Sequence, residues 1–424
     1  MQKTVSKSKN GLKGILEIPS DKSISHRAVI LTSLAKGKSV IKNFSKGQDP
    51  HSSLNVCKHL GVDAEFVDGN LTIVSKGKLS VSQSPLDCGN SGTTMRFMTG
   101  ILAGQNFTSI LTGDESLSKR PMKRVIEPLT LMGAQIQSQD FKAPLKIIGK
   151  PLHAINYKSK LASAQVKSCI LLAGLYCDGE SVFEEPYLSR NHTELMLKSM
   201  NCDIKTSDNI VKIRKSNLEP IEIEIFGDIS SAAYFIVAGL IVPNSNIILK
   251  NVGLNPTRTG ILDVVQKMGG NIEILDKKEV CGEIVGDIKI CYSDLSGCTI
   301  SGEIIPRLID ELPVIAVLAC RAKGQTTVKD AQDLRNKESD RISAIVSELK
   351  KLGADIQETS DGFIISGVTD LKGGCEVEAY KDHRLAMSLY VAGLICKNPI
   401  CINGFEWVNI SFPEFENMFN LILV

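Results

Sequence analysis

The chain lacks most of the motifs that would place it quickly. Nowhere do two of its twelve cysteines stand three apart as a CxxC metal or redox motif requires, and the closest pair is Cys396 and Cys401. They read as small core residues in a reducing compartment, and no metal is expected. One Trp, seven Tyr and thirteen Phe are spread over 424 residues, and 49 Lys+Arg against 47 Asp+Glu leave a net charge of +2. No bulk field therefore draws the protein to nucleic acid or to a membrane, and any anion binding has to be local. The longest apolar stretch, Ala232 to Val242, stops at Pro243, short of the roughly 20 residues of a membrane span. The N-terminal MQKTVSKSKNGLKG has no apolar signal-peptide core, so a cytoplasmic location is expected. GxxxxGK[ST], GxSxG and HExxH are all absent, which removes the P-loop, nucleophile-elbow and zincin readings.

What is present is a repeat. A chain of 424 residues is too long for one hydrophobic core, and six segments share one plan, with starts at Ser20, Gly89, Ser163, Gly227, Ile309 and Lys381. Each opens with polar or charged residues, runs through a compact apolar stretch with helical spacing, breaks at a Gly, Asn or Pro turn, and ends in a short run rich in Val, Ile and Thr. That is a helix followed by a strand. A second helix then closes on a glycine turn, as in VCKHLG, LTLMG, VVQKMG and LKKLG, and LMLKSMN puts Asn201 in the same place. Units of this size exceed the common solenoid periods, so they read as three plus three, forming two similar α/β domains with a split near Gly227.

The helix starts carry side chains that folding does not demand. Lys22, Ser23 and Arg27 occupy the first; Asn90, Thr93 and Arg96 the second; Gln165 and Lys167 the third; His383 and Arg384 the sixth. Cations oppose the helix dipole at an N-terminus, whereas an anionic ligand suits both the dipole and the partnerless backbone N–H groups. Singly, each is more readily a solvated charge on a helix rim. Four coordinated starts point to phosphate or carboxylate ligands. Two further stretches have the same chemistry: GDESLSKRPM, which contains Arg120, and KESDR, where Lys337 and Arg341 would share a face of a helix running from Glu338 to Leu349. His26, His192 and His383 read as satisfied structural imidazoles.

Together SDKSISHR, GNSGTTMR, GDESLSKRPM, SAQVKS, SRNHTE, GDISSAAYF, DELP, KESDR and DHR.AM resemble, in register from Ser20 to Pro413, the signatures of the 5-enolpyruvylshikimate-3-phosphate synthases of the enolpyruvyl transferase family. The resemblance implies an α/β (α+β) fold of two domains, each three copies of a βαβαββ unit, with the active site in the cleft between them. Residues 20–226 would form one domain, and residues 1–19 plus 227–424 the other. It implies transfer of the enolpyruvyl group of phosphoenolpyruvate to the 5-hydroxyl of shikimate 3-phosphate with release of phosphate, by a monomer without a cofactor and with these small molecules as its only partners. Shikimate 3-phosphate would meet Lys22, Ser23, Arg27, Ser163, Ala164, Gln165, Arg190, Asp310 and Lys337. Phosphoenolpyruvate would meet Lys22, Asn90, Gly92, Thr93, Arg120, Gln165, Lys337, Arg341 and Arg384. Asp310 and Glu338 would be the acid/base pair, with Lys22 assisting. Glyphosate would take the phosphoenolpyruvate site, where Gly92 leaves room for it. The chain departs from many members at VNIS before Phe412, where a lysine is common, and at Asp333 and Asn336. A sister transferase acting on UDP-N-acetylglucosamine would want a Lys-Asn pair near the N-terminus where this chain has SDKS. A non-catalytic phosphate-sugar binding paralogue would have lost some of Lys22, Arg120, Asp310 and Glu338, and all four are present.

Overall fold

Each of the six apolar segments is a helix that starts where the polar residues begin: Lys22–Thr32, Gly92–Ala103, Ala164–Gly174, Ile229–Ile241, Leu312–Ala319 and His383–Gly393. The computed structural model describes residues 1–367 and 370–424. Side-chain caps fix three of these starts: Ser91 accepts from the Thr94 backbone N–H, Asp228 from Ser230 and Asp382 from Arg384. Such a cap satisfies a donor that the first turn leaves without a partner and contributes about 1 kcal/mol. Ser163 occupies the same position before Ala164, but its side chain makes no capping bond. The helices are buried around almost the whole circumference, polar residues included; in Ile229–Ile241 every residue except Ser231 is buried.

The strands repeat as the helices do. In the second copy, Leu86–Asp87 runs parallel to Thr108–Thr112, which pairs antiparallel with Lys142–Ile148, and that strand pairs with Gln135–Gln139. Five sheets among the described residues have this four-strand order. The sixth has three strands: Glu376–Glu378 runs parallel to Ile400–Asn403, and Gln2–Val5 lies antiparallel on the other side. The N-terminal strand thus stands where the other copies have a hairpin arm, and the helix Phe415–Ile422 ends the copy. The second helices close as their glycines suggest, with Gly61, Gly133, Gly269 and Gly353 at φ of 87°, 91°, 84° and 92° and Asn201 at 61°. Only glycine, and less often asparagine, takes that left-handed conformation at low cost.

The chain forms two compact units. One comprises Lys22–Ile225 with Val280–Glu283, and the other Met1–Asp21, Phe226–Glu279 and Ile284–Val424. Strands are exchanged where the chain passes from one unit to the other. Lys13–Glu17, which precedes the first helix, pairs parallel with Asn246–Gly253 after the fourth, and Glu222–Glu224, which precedes the fourth helix, pairs parallel with Lys36–Lys42 after the first. Seven cysteines are buried as expected of core residues, whereas Cys281, Cys291, Cys298, Cys375 and Cys401 are half-buried. Among the described residues no helix is long and apolar enough to cross a membrane.

In the unit that holds the C-terminus, the helices Ile229–Ile241, Leu312–Ala319 and His383–Gly393 pack on one another. An aromatic cluster fastens the last helix to them: the Phe415 ring lies 5.6 Å from Tyr234, 5.3 Å from Tyr390, 5.4 Å from Phe412 and 5.0 Å from Phe419. Phe415 is fully buried, so Phe415→Ala leaves a cavity that these four rigid rings cannot collapse. The expected loss is about 3–5 kcal/mol, read from urea unfolding of the intact chain.

Candidate active site

The residues singled out above fall into two groups, one in each unit. In the unit containing Lys22–Ile225, three helix starts carry Lys22, Ser23, Arg27, Asn90, Gly92, Thr93, Ser163, Ala164 and Gln165, and loops carry Arg120 and Arg190. A buried chain of hydroxyls pins two of these starts together: His26 Nδ1 lies 2.8 Å from Ser53 Oγ, Ser53 Oγ lies 2.7 Å from Thr94 Oγ1, and Thr94 Oγ1 donates to Ser91 Oγ at 2.8 Å. Burial, together with Lys22 and Arg27 nearby, holds His26 well below the usual histidine range, so its imidazole is neutral.

The cations here are positioned rather than loose. Lys22 Nζ donates to Asp49 Oδ2 at 3.1 Å. Arg27 Nε donates to Thr193 Oγ1 at 2.7 Å and one terminal nitrogen to the Ser23 carbonyl at 2.9 Å, while the guanidinium lies 5.0 Å from the Phe97 ring centroid. Arg120 donates to Asn90 Oδ1 at 2.8 Å, and Asn90 Nδ2 donates in turn to Asp114 Oδ2 at 2.7 Å. Gln165 bridges the second and third helix starts, accepting from Arg96 at 2.5 Å and donating to Thr93 Oγ1 at 3.1 Å. Two basic residues read from sequence as facing a ligand are otherwise engaged. Arg96 holds Gln165, and Lys167 is wholly buried between Glu185 and Glu194.

The second group is built around Arg341. Its Nε donates to Asp382 Oδ2 at 2.7 Å, one terminal nitrogen to Asp310 Oδ1 at 3.3 Å, and the other to Glu338 Oε2 at 2.6 Å and to Asp382 Oδ1 at 3.2 Å. Lys337 Nζ joins Asp310 Oδ1 at 3.4 Å. The shared helix face expected for Lys337 and Arg341 does not exist: the helix is Arg341–Lys351, capped by Asp340 through the Ser343 N–H, and Lys337 ends a 3₁₀ turn upstream in extended conformation. Asp340 is the stronger cap, so the helix begins three residues later than the charge pattern suggested. Lys337, Glu338 and Arg341 still converge, through a loop.

Exposure divides the four acidic and basic groups by role. Arg341 and Asp382 side chains are 1% and 0% exposed, whereas Asp310 and Glu338 are 14% and 21% exposed. The accessible carboxylates can meet a ligand, and the inaccessible pair holds them. Burial disfavours the Arg341 charge, but Asp382, Glu338 and Asp310 more than offset this and keep it above the ordinary arginine value. Burial likewise pushes the Asp382 carboxyl up, and the Arg341 guanidinium overrides it, leaving Asp382 below the usual aspartate range.

Beside this pair runs a second buried network, of which the sequence reading names only Arg384 as a site residue. Arg258 donates to Asp228 Oδ1 at 3.1 Å and to Ser230 Oγ at 2.6 Å and lies 3.6 Å from Asp21 Oδ2. Ser230 donates to Glu311, and Arg384 lies 3.9 Å from the same Glu311 oxygen. The Tyr234 hydroxyl, also hydrogen-bonded with Arg384, is pushed up to about 12 by burial. A carboxylate at a cap position, as at Asp228 and Asp382, was a readable signal, since it must find a cation once buried; Arg258 and Glu311 gave none.

The fold is that of the enolpyruvyl transferases. The enolpyruvyl transferase NikO from Streptomyces tendae superposes with a TM-score of 0.80 over 99% of this chain and 97% of its own, at only 14% identity. Within that class the relationship is closer to one family. A family model described as EPSP synthase (3-phosphoshikimate 1-carboxyvinyltransferase) matches residues 6–419, and the chain belongs to that family. A 3-phosphoshikimate 1-carboxyvinyltransferase of Thermoanaerobacter sp. strain X514 is 51% identical over 98% of this chain and 99% of its own length, and one of Geotalea uraniireducens strain Rf4 is 47% identical over the whole of both. An EPSP synthase structure from Acinetobacter baumannii superposes with a TM-score of 0.89 at 40% identity, covering 100% of this chain and 98% of the other.

Asp382 supplies a charge-specific test. A carboxyl whose folded pKa is depressed stabilises the fold above its unfolded pKa, here near 3.8, and loses that contribution as the pH falls through the folded value. Asp382→Asn keeps a capping oxygen and removes the charge. It should cost about 3–5 kcal/mol at pH 7, and the gap from the wild type should narrow once the pH drops below about 4, as measured by denaturant titrations across that range.

Proposed function

We propose that this chain catalyses the reaction its family is named for, moving the enolpyruvyl group of phosphoenolpyruvate to the 5-hydroxyl of shikimate 3-phosphate and releasing phosphate, with both residue groups serving that one reaction. The observation that carries the reading is the accessible carboxylate pair, Asp310 and Glu338, held by one buried guanidinium inside a family match that covers nearly the whole chain. The chemistry needs two proton carriers. In the addition step the 5-hydroxyl oxygen bonds to C2 of phosphoenolpyruvate, its proton leaves, and C3 gains a proton. In the elimination step the methyl group gives up a proton, the C2–O bond to phosphate breaks and the double bond returns. Asp310 and Glu338 are the groups we assign to these transfers, with Lys22 assisting.

Both substrates are multiply anionic, which accounts for cations set at helix starts in a nearly neutral protein. In our reading Lys22, Ser23, Arg27, Ser163, Ala164, Gln165, Arg190, Asp310 and Lys337 take shikimate 3-phosphate. Lys22, Asn90, Gly92, Thr93, Arg120, Gln165, Lys337, Arg341 and Arg384 take phosphoenolpyruvate. Planar guanidinium groups suit carboxylate and phosphate because they offer paired donors. Arg341 is engaged on all three nitrogens, so a ligand oxygen reaches it by replacing Asp310 or Glu338. That exchange would loosen a catalytic carboxylate as substrate arrives. Ser163, which caps no backbone N–H, fits a ligand-facing role.

A coupled phosphate-release assay with both substrates tests the reading. Release should require both, and none with the pair present would overturn it. Asp310→Asn should lower kcat by roughly a hundredfold or more and leave shikimate 3-phosphate binding by calorimetry largely intact, because a positioned acid/base contributes about that factor. A kcat near wild type would remove Asp310 from the chemistry.

Glyphosate should inhibit competitively with phosphoenolpyruvate. The structure adds a detail to the steric argument at Gly92: a Cβ there would come within 2.7 Å of an Arg96 guanidinium nitrogen and 3.6 Å of one of Arg120. Arg96 must therefore swing away, and it is the residue that holds Gln165. Gly92→Ala should cost glyphosate affinity by about 1–3 kcal/mol, as overpacking does, and should raise the phosphoenolpyruvate KM by less. Equal losses for both ligands would show that displacement of Arg96 and Gln165, rather than pocket volume, sets the effect.

A further inference from the structure

One fully buried cation has no part in the chemistry above. Lys167 lies two residues beyond Gln165 on the helix Ala164–Gly174, and its side chain, like those of Glu185 and Glu194, is almost completely shielded from solvent. Its Nζ donates to Glu185 Oε1 at 2.8 Å and to the Ser189 carbonyl at 3.2 Å, and lies 2.8 Å from Glu194 Oε1. Glu185 Oε1 also accepts the Ser189 backbone N–H at 2.9 Å. The ion pair therefore grips Ser189 by both its N–H and its C=O. Residue 190, next along the chain, is the arginine assigned above to shikimate 3-phosphate.

The segment needs such an anchor. Pro186, Tyr187 and Leu188 are exposed, and Ser189 is the buried residue between them and Arg190. At the other end Glu185 exchanges backbone and side-chain bonds with Asn209, its N–H donating to the Asn209 carbonyl at 3.0 Å while Asn209 Nδ2 donates to the Glu185 carbonyl. Stability alone does not call for a charge at Lys167, since apolar residues of similar volume replace buried ion pairs at little cost and often with gain. What an apolar side chain cannot supply is a donor for the Ser189 carbonyl. Ser168, the next residue on the helix, accepts a 3.4 Å bond from Arg27, another residue assigned to shikimate 3-phosphate, and bonds at 2.6 Å with Thr193, which also accepts from Arg27, so the same helix turn serves both arginines.

We propose that Lys167 and Glu185 form a positioning pair that fixes the backbone before Arg190 and thereby sets the affinity for shikimate 3-phosphate. This rests on the assignment of Arg190 as a ligand residue. The test is a double-mutant cycle read by calorimetric titration of shikimate 3-phosphate, with the phosphoenolpyruvate KM and the unfolding midpoint measured alongside. Lys167→Met should raise the shikimate 3-phosphate Kd about tenfold and leave the phosphoenolpyruvate KM within about twofold, and in an Arg190→Ala background it should add less than about twofold. Glu185→Gln keeps an acceptor for the Ser189 N–H and the shape of the site. It should raise the Kd by about three- to fivefold with the same dependence on Arg190, and it decides the matter if Lys167→Met does not fold. A lowered midpoint with an unchanged Kd, or equal penalties in both backgrounds, would overturn the proposal. If Arg190→Ala itself leaves the Kd unchanged, the assignment of Arg190 falls and this proposal with it, while phosphate release from the two substrates still tests the reaction separately.

Discussion

A cation taken out of water needs partners to replace its hydration, and among the described residues three buried cations find them in clusters of carboxylates. Lys167 has Glu185 and Glu194, Arg258 has Asp21 and Asp228, and Arg341 has Asp310, Glu338 and Asp382. Each cluster sits at or near a helix start, and two of them use the capping carboxylate itself. Asp228 and Asp382 thus satisfy a backbone N–H and a buried guanidinium at once. Desolvation makes an unmatched charge there very costly, so the geometry around each cation is tightly specified. In the Arg341 cluster the inaccessible Asp382 binds two of the guanidinium nitrogens, sharing one of them with Glu338 and leaving the third to Asp310, and both of those carboxylates are open to a ligand.

The repeat was legible because its signals are local. Apolar helices, glycine turns after the second helices, and β-rich runs are set by neighbours within a few residues, and Asn201 could be read as a stand-in for glycine because both tolerate positive φ. The sixth copy was not legible in the same way. Its third strand is Gln2–Val5, separated by nearly the whole chain from its partner Ile400–Asn403, and no local pattern announces such a pairing.

Among the site residues, identity was easier to read than engagement. Lys22, Arg27, Arg120, Lys337 and Arg341 all lie at or beside helix starts, but sequence placed Arg96 and Lys167 on equal terms with them. The structure separates them by partner: Arg96 is held on Gln165, and Lys167 is enclosed by two glutamates. Likewise the KESDR spacing fitted a helix face, and a better cap three residues on moved the helix start. Charge pattern shows where cations are needed, whereas which of them is free to meet a ligand depends on acidic residues distant in sequence.

The exchange of strands at the two chain crossings has a consequence for biosynthesis. Lys13–Glu17 cannot find its partner until Asn246–Gly253 has been made, and Gln2–Val5 waits for Ile400–Asn403. At typical elongation rates of about 5–20 residues per second, the first strand spends on the order of tens of seconds outside the ribosome before its sheet exists. The N-terminal segment is therefore secured late, and Lys3 and Lys13, one on each strand, with Lys7 and Lys9 between them, keep that waiting segment charged and poorly suited to pairing with another chain.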